Sequence, residues 1–237
     1  MRNIGNVLLN LIYPLRCPLC QRPLYAPGES YLCQLCSSKI KRLTLSTCWG
    51  CAKPFFEKES LCFECKGKKF YYDKVVVAAI YDDIIRRSIH LLKYARKTAL
   101  AKPLGALLIE AISRPDCIDR IDLAIPVPLH NRQLRRRGFN QAEILARSCG
   151  QRLAIPVSTG NLIKTKSTLS QSDLKRDERF KNIEGAFLVK KPSDIKGKNI
   201  LLIDDVLTTG ATLNECARTL KRAGAEKIIA MAIARGL

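Results

Sequence analysis

Hydrophobic and polar positions follow two different patterns along the chain, and the pattern changes near residue 71. From residue 14 to about residue 70 the apolar runs are short, and cysteine, lysine, proline and glycine interrupt them. A segment of this composition cannot bury a hydrophobic core, so it needs another source of stability such as bound metal. We therefore predict a small N-terminal domain over residues 1–70 and a larger domain over residues 71–237.

The larger domain alternates β-branched runs with segments of helical period. Strands that alternate with helices indicate βαβ units, which build a mostly parallel sheet with helices on both faces. We therefore predict an α/β fold whose ligands bind at the carboxyl ends of the strands. Residues 161–184 lack apolar periodicity, which predicts a functional loop or a lid. The predicted strands are residues 74–81, 122–127, 185–189, 199–203 and 227–233, and the predicted helices are residues 85–92, 99–113, 142–149 and 213–220, the last ended by Gly224.

Eight of the 11 cysteines form four Cys-x-x-Cys pairs. Thiolates two residues apart lie on one tight knuckle, and two knuckles complete a tetrahedral zinc site with four sulfur ligands. A redox-active pair as in thioredoxins would need a βαβ context, which these pairs lack. Sequential pairing is favoured by spacers of 12 and 10 residues, and interleaved pairing of the knuckles is the alternative. We predict two structural Zn²⁺ ions, one held by Cys17, Cys20, Cys33 and Cys36 and the other by Cys48, Cys51, Cys62 and Cys65.

The chain is strongly basic, since 41 Lys and Arg residues against 21 Asp and Glu residues give a net charge of +20. Eight thiolates and two Zn²⁺ ions together subtract four charges, which leaves about +16. This excess favours a polyanionic partner such as nucleic acid, or a phosphorylated ligand, and a merely basic soluble protein is the alternative. Hydrophobic residues make up 47% and charged residues 26%, a composition that excludes disorder and collagen-like repeats.

The sequence predicts a cytoplasmic protein without membrane insertion. No stretch approaches the roughly 18 apolar residues that a membrane-spanning helix requires. Residues 3–13 are apolar on one face but lack a small-residue cleavage site, so we expect a docking helix rather than a signal peptide. Reduced thiols that hold metal also favour a cytoplasmic setting.

Residues 201–212, LLIDDVLTTGAT, carry the most specific chemistry in the chain. A buried strand delivers Asp204 and Asp205 to its end, and the following turn opens a helix. Free backbone N–H groups and threonine hydroxyls at a helix start bind phosphate, and carboxylates accept hydrogen bonds from sugar hydroxyls. The pattern therefore predicts a ribose 5-phosphate site, with an ordinary Asp N-cap as the alternative. No Gly-x4-Gly-Lys-Ser/Thr motif occurs, which excludes a P-loop NTPase.

This segment resembles the PRPP (5-phosphoribosyl-1-diphosphate) motif of type I phosphoribosyltransferases. Together with the cysteine pairs, residues 93–94 (KY), residues 125–128 (IPVP) and residues 137–141 (RGFNQ), it resembles the competence protein F family over essentially the whole chain. The resemblance implies a type I phosphoribosyltransferase fold after a double zinc ribbon, with PRPP and Mg²⁺ as ligands. For some members it implies a requirement in single-stranded DNA uptake during natural transformation, with other competence proteins such as a DNA helicase as partners.

The resemblance also assigns roles to individual positions. Asp204 and Asp205 match the ligands of the ribose hydroxyls and are the candidate catalytic residues. Any turnover would displace pyrophosphate at the anomeric carbon of the ribose, with Mg²⁺ neutralising the leaving group. The positions that match the 5-phosphate loop are Thr208, Thr209, Gly210, Ala211 and Thr212.

Two further segments match mobile or charged parts of the family's site. Residues 128–138 match the pyrophosphate loop, and Arg132 and Arg137 are its candidate PRPP ligands. Residues 161–184 match the mobile catalytic loop.

Basic residues of these two loops are expected at the same edge of the sheet, where they would form one DNA-binding surface. The alternative is that the arginines serve only the pyrophosphate. Trp49, inside a cysteine knuckle, either stacks on a base or packs within the knuckle. The candidate DNA-binding residues are Arg135, Arg136, Lys175, Arg176 and Arg179.

Two other functions stay open from the sequence. One is a metabolic phosphoribosyltransferase that forms an N-glycosidic bond from PRPP. The other is a PRPP-sensing regulator, which the absence of a helix-turn-helix pattern disfavours.

Overall fold

The computed structural model describes residues 15–24, 31–44, 46–54, 60–114, 120–168 and 176–236, with the backbone alone at residues 176–179. The predicted N-terminal helix at residues 3–13 and the candidate Lys175 lie outside the described residues. Among the described helices, none has the length and apolarity that crossing a membrane requires. The helices are α1 (Gln34–Ser38), α2 (Asp83–Tyr94), α3 (Ala101–Ile112), α4 (Asn131–Arg137), α5 (Gln141–Leu153), α6 (Arg176–Ile183) and α7 (Ala211–Arg222), and the strands are β1 (Lys74–Ile80), β2 (Leu123–Pro126), β3 (Leu162–Lys164), β4 (Phe187–Val189), β5 (Asn199–Leu207) and β6 (Lys227–Arg235).

Four parallel strands form the central sheet in the order β1-β6-β5-β2, which confirms the predicted parallel α/β architecture. Side chains of β5 alternate between the two faces, so that Leu201 and Ile203 belong to one core and Ile200 and Leu202 to the other. All four are buried, as expected for a parallel sheet that is covered on both sides.

Helices cover both faces of the sheet, as the alternating pattern predicts. On one face α2, α3 and α5 contribute Ile89, Leu108 and Leu145 to the core. On the other face Leu213 of α7 packs beside Phe187, which belongs to the antiparallel β3–β4 pair. Each fully buried side chain of this kind contributes roughly 1.5–3 kcal/mol, so both layers hold the strand ends in place.

Two segments that the sequence predicts as loops contain regular structure. In the basic segment 128–138, helix α4 begins after His130, whose Nδ1 accepts a hydrogen bond from the Arg132 N–H at 3.2 Å, and ends at Gly138 with φ +84°. Arginine favours helices, but α4 buries no residue, so hydrophobic periodicity could not reveal it. Residues 161–184 contain β3 and all of α6, so the prediction of a loop is wrong at both ends of that span.

Strand β5 is longer than the predicted residues 199–203. It pairs with β6 as far as Leu207, which lies opposite Arg235. Asp204 and Asp205 therefore lie inside the strand rather than after it, and their side chains project toward opposite faces of the sheet.

The cysteines form the two predicted clusters with sequential pairing, and interleaved pairing is wrong. Within each cluster the four sulfur atoms lie within 4.8 Å of one another, in reach of one metal ion. Backbone N–H groups donate to the sulfur atoms, as from Cys36 to Cys33 Sγ at 3.4 Å and from Cys62 to Cys48 Sγ at 3.2 Å. Such bonds orient and stabilise thiolate ligands.

The cysteine-rich segment also covers the edge of the sheet at β1. The Leu43 N–H donates to the Ala78 carbonyl at 3.0 Å, and the Val75 N–H donates to the Trp49 carbonyl at 2.9 Å. Because an uncovered edge strand exposes unpaired backbone groups, these bonds explain why the metal-bound segment docks there.

We expect metal analysis of protein purified without chelator to find two zinc ions per chain, because each cluster supplies four thiolates to one ion. Cys65→Ser removes one ligand of the second cluster and should lower the content to one ion. Cys149→Ala changes a buried cysteine outside both clusters and should leave two. Finding no zinc or one ion in the unchanged protein would contradict the two-site prediction.

Candidate functional site

A cavity of about 610 Å³ opens at the carboxyl ends of the parallel strands, where this fold predicts a ligand site. Lys93 of α2 and Pro18, which lies between two cysteines of the first cluster, also reach its wall. The cavity brings together residues that the sequence predicts from separate segments, namely Arg137, Asp204, Asp205, Thr208 and Thr212.

The two carboxylates of β5 have different surroundings. Asp205 is buried, and one of its oxygen atoms forms an ion pair with the Lys93 ammonium group, while Gln141 Nε2 donates to the other at 3.5 Å. Asp204 is partly exposed, and its Oδ1 accepts a hydrogen bond from the Asp205 backbone N–H at 2.8 Å. The pair therefore offers one fixed carboxylate and one that faces the cavity with fewer partners.

The charges of these groups depend on each other. Burial and the adjacent Asp205 charge raise the pKa of Asp204 well above its usual value. Burial alone would also raise the pKa of Asp205, but the Lys93 ammonium outweighs it and lowers that pKa. Burial opposes the charge of Lys93, yet Asp205 raises the pKa of that ammonium overall. Lys93 and Asp205 are therefore held as an ion pair, and Asp204 takes up a proton more easily.

Arg137 connects the carboxylates to helix α4. Its guanidinium lies 5.4 Å from the centre of the Tyr94 ring and donates a hydrogen bond to Gln141 Oε1. Since Gln141 also donates to Asp205, one chain of contacts joins the basic helix to the carboxylate pair. Asn140 fixes the start of α5, because its amide donates to the Val127 carbonyl at 3.0 Å.

The other three arginines of α4 lie outside the cavity that Arg137 lines. Arg132, Arg135 and Arg136 are exposed and are not part of the cavity wall, whereas Arg137 and Gln133 are. Arg132, a candidate PRPP ligand from the sequence, is thus not brought to the cavity. Arg176 and Arg179 lie on α6, whose side chains at these positions are outside the description.

The TTGAT loop, residues 208–212, leads from β5 into α7. Gly210 has φ +81°, a conformation that favours glycine, and as the N-cap residue it has no side chain with which to cap the helix. The first turn of this 12-residue helix therefore keeps backbone N–H groups available for an anion, although the Thr209 hydroxyl accepts a long hydrogen bond from the Ala211 N–H at 3.4 Å. Thr208 and Thr212 reach the main cavity, Thr209 lines a neighbouring one, and Ala211 is buried.

The second cysteine cluster lies against the TTGAT loop. The buried Tyr72 hydroxyl donates to the Gly50 carbonyl at 2.7 Å, and a Cβ at Gly210 would lie 3.3 Å from that hydroxyl oxygen. The Tyr71 N–H also donates to Asn214 Oδ1 of α7 at 2.7 Å. The metal-bound segment therefore supports the backbone of the loop.

Sequence reasoning missed Tyr72 and Asn214 as parts of the site. It identified Gln141 and Lys93 only within the segments that carry the resemblance, although two adjacent carboxylates in a buried strand require a nearby cation. That requirement is the signal that could have identified Lys93 in the amphipathic helix after β1.

Two sequence families match the chain. Residues 134–237 match the Phosphoribosyl transferase domain, and residues 8–66 match the Double zinc ribbon domain. These matches confirm the predicted type I phosphoribosyltransferase fold, and with the two four-cysteine clusters they support structural zinc.

Similar proteins extend over nearly the whole chain. The DNA utilization protein YhgH of Escherichia coli O157:H7 is 31% identical over 96% of this chain and 100% of that protein. Competence protein F of Haemophilus influenzae is 29% identical over 94% of this chain and 98% of that protein. Competence protein ComFC of Bacillus subtilis is 28% identical over 85% of this chain and 82% of that protein. The chain therefore belongs to the family of competence protein F and DNA utilization protein YhgH, in which a double zinc ribbon precedes a phosphoribosyl transferase domain.

Proposed function

We propose that the protein binds PRPP and single-stranded DNA and acts in the uptake or use of external DNA in the cytoplasm. The observation that carries the proposal is the cavity in which the carboxylate pair, Arg137 and the start of α7 converge. The names of the relatives, which refer to competence and to DNA utilization, support the role in DNA handling.

In the proposed complex each part of PRPP meets a matching group. Asp204 and Asp205 accept hydrogen bonds from the ribose hydroxyls, because a carboxyl group offers acceptor oxygens whether or not it carries a proton. The start of α7 binds the 5-phosphate, where the helix dipole favours negative charge. Arg137 donates to the pyrophosphate, and a guanidinium suits this because it makes paired hydrogen bonds to phosphate oxygens.

The donor set also fits Mg²⁺ carried in with PRPP. Mg²⁺ prefers oxygen ligands and commonly takes one or two carboxylates together with substrate phosphates, and Asp204 offers a carboxylate in the cavity wall. When bound, the ion would neutralise charge on the diphosphate. Lys93 has a separate task, which is to hold Asp205 ionised and fixed as an acceptor.

The proposed DNA surface lies on α4. Arg132, Arg135 and Arg136 are exposed outside the cavity, so a pyrophosphate bound by Arg137 would leave them free for another polyanion. The net charge of +20 supports such a partner. Phosphate neutralisation releases counterions, so the affinity would fall steeply with salt concentration.

Replacing both carboxylates, Asp204→Asn with Asp205→Asn, should lower PRPP affinity in calorimetry by at least about tenfold. Each charge-assisted hydrogen bond contributes roughly 1.5–3 kcal/mol, and tenfold corresponds to about 1.4 kcal/mol. Asp194→Asn changes an exposed carboxylate outside the cavity and should leave the affinity unchanged. Equal PRPP affinity in the double variant and the unchanged protein would refute the assignment.

Lys93→Met should make stability fall as pH rises from acidic to neutral. Without the ammonium, the buried Asp205 has no counter-charge beside Asp204, and its folded-state pKa rises above its unfolded value near 4. A raised folded-state pKa gives stability that is lost as pH rises through it. Urea unfolding at neutral pH should show a loss of about 3–5 kcal/mol.

In the unchanged protein, Asp205 gives the opposite pH dependence of stability. Its pKa is lowered in the folded state, so its contribution to stability is lost as pH falls. The control is Lys93→Met with Asp205→Asn, which removes both charges and should recover stability at neutral pH. If Lys93→Met alone keeps the stability and pH profile of the unchanged protein, the ion pair does not support the site.

Arg135→Ala with Arg136→Ala should weaken single-stranded DNA binding and leave PRPP binding intact. The log–log salt slope should become flatter by about 0.7 for each phosphate that the variant no longer neutralises. Lys196→Ala with Arg222→Ala removes the same charge from exposed positions that precede the amino ends of β5 and β6, and it should change DNA binding less. A variant that no longer binds PRPP but keeps an unchanged DNA isotherm would make the arginines a pyrophosphate site instead.

A further inference from the structure

Two aromatic side chains stand exposed on the second zinc-binding cluster. Trp49 lies between Cys48 and Cys51, and Phe63 lies between Cys62 and Cys65, so each cysteine knuckle carries one ring. Trp49 is 42% exposed and Phe63 is 90% exposed. Packing within the knuckle, the alternative for Trp49, covers the larger part of that residue but leaves 42% of it exposed, and it leaves Phe63 almost entirely exposed.

The backbone holds both rings in fixed positions. The Trp49 N–H donates to the Ser60 carbonyl at 2.8 Å, and its own carbonyl accepts from the Val75 N–H at 2.9 Å. On the other knuckle the Lys66 N–H donates to the Cys62 carbonyl at 3.1 Å and closes the turn around Phe63. A ring on a fixed backbone loses little freedom when a ligand stacks on it.

The surroundings of the two rings are basic. Lys68 and Lys69 are exposed on the chain after Cys65, whereas the Lys74 ammonium, 4.9 Å from the centre of the Trp49 ring, belongs to a buried side chain and lies against the covered part of that ring. Aromatic rings beside cations are the features by which proteins bind single-stranded nucleic acid, with bases on the rings and phosphates near the cations. In a duplex the bases are already stacked, so the rings would favour single strands.

We propose that Trp49 and Phe63 form a base-stacking platform for single-stranded DNA on the second zinc ribbon. The inference rests on the proposed DNA binding and adds to it a second contact, made to bases rather than phosphates and separate from the arginines of α4. It assigns the second zinc ion a further role, since the cluster sets the position of both knuckles.

The chain contains a single tryptophan, so its tryptophan fluorescence reports on Trp49 alone. We expect an oligothymidylate to quench this fluorescence on binding. A matched oligomer of abasic deoxyribose phosphates offers the same charge without bases, and it should bind more weakly and leave the fluorescence unchanged. Anisotropy of a labelled end measures the binding of both oligomers independently of the tryptophan.

Phe63→Ala should weaken oligothymidylate binding about tenfold, within the range expected for one stacked base, and should not change binding of the abasic oligomer. Its salt slope should equal that of the unchanged protein, because every phosphate is still neutralised by the same cations. Tyr31→Ala removes another exposed ring, from the first ribbon, and should have no effect. Zinc content is measured for each variant to show that the clusters are intact.

The outcomes separate this inference from the function on which it rests. Oligothymidylate that binds by anisotropy but neither quenches Trp49 nor responds to Phe63→Ala would overturn the platform and leave the DNA function standing. No binding of either oligomer would overturn both. Equal binding of the two oligomers by the unchanged protein would also overturn the platform.

Discussion

The ion pair between Lys93 and Asp205 is the interaction on which the rest of the site depends. A parallel sheet covered on both faces buries its central strands, and β5 nevertheless carries two adjacent carboxylates there. Ionised carboxylates in such a place require a cation, which α2 supplies from its last turn. The same pair fixes the direction of Asp205, and through Gln141 it connects to Arg137 at the end of α4. The electrostatic requirement of one strand thus organises three helices around one cavity.

Metal has a second organising role in this protein. The small N-terminal segment lacks a core of its own, and the two four-cysteine clusters take the place of one. The second cluster also supports the TTGAT loop, because the Tyr72 hydroxyl that donates to the Gly50 carbonyl lies where a Cβ at Gly210 would contact it. The ribbons are therefore part of the architecture of the cavity rather than a separate appendage, as the presence of Pro18 in the cavity wall also indicates.

The sequence predicted the features that follow from strong local patterns. Paired cysteines specified both clusters, and apolar, β-branched runs located all the strands of the central sheet, because burial on both faces selects such runs. Helix α4 escaped prediction because its stability comes from its caps at His130 and Gly138 and not from an apolar stripe. The contacts of Lys93 and Tyr72 could not be predicted from the sequence, because they join residues far apart in the chain and no local pattern encodes such pairs. The position of the carboxylates inside β5 depended on pairing with β6, which is likewise non-local.

The most direct test of the proposed PRPP site is a crystal structure of the protein with PRPP and Mg²⁺. We expect the ribose hydroxyls within hydrogen-bond distance of Asp204 and Asp205, the 5-phosphate at the start of α7 and the pyrophosphate beside Arg137. PRPP bound elsewhere on the molecule, or a cavity that stays free of it at saturating concentration, would contradict the proposed site.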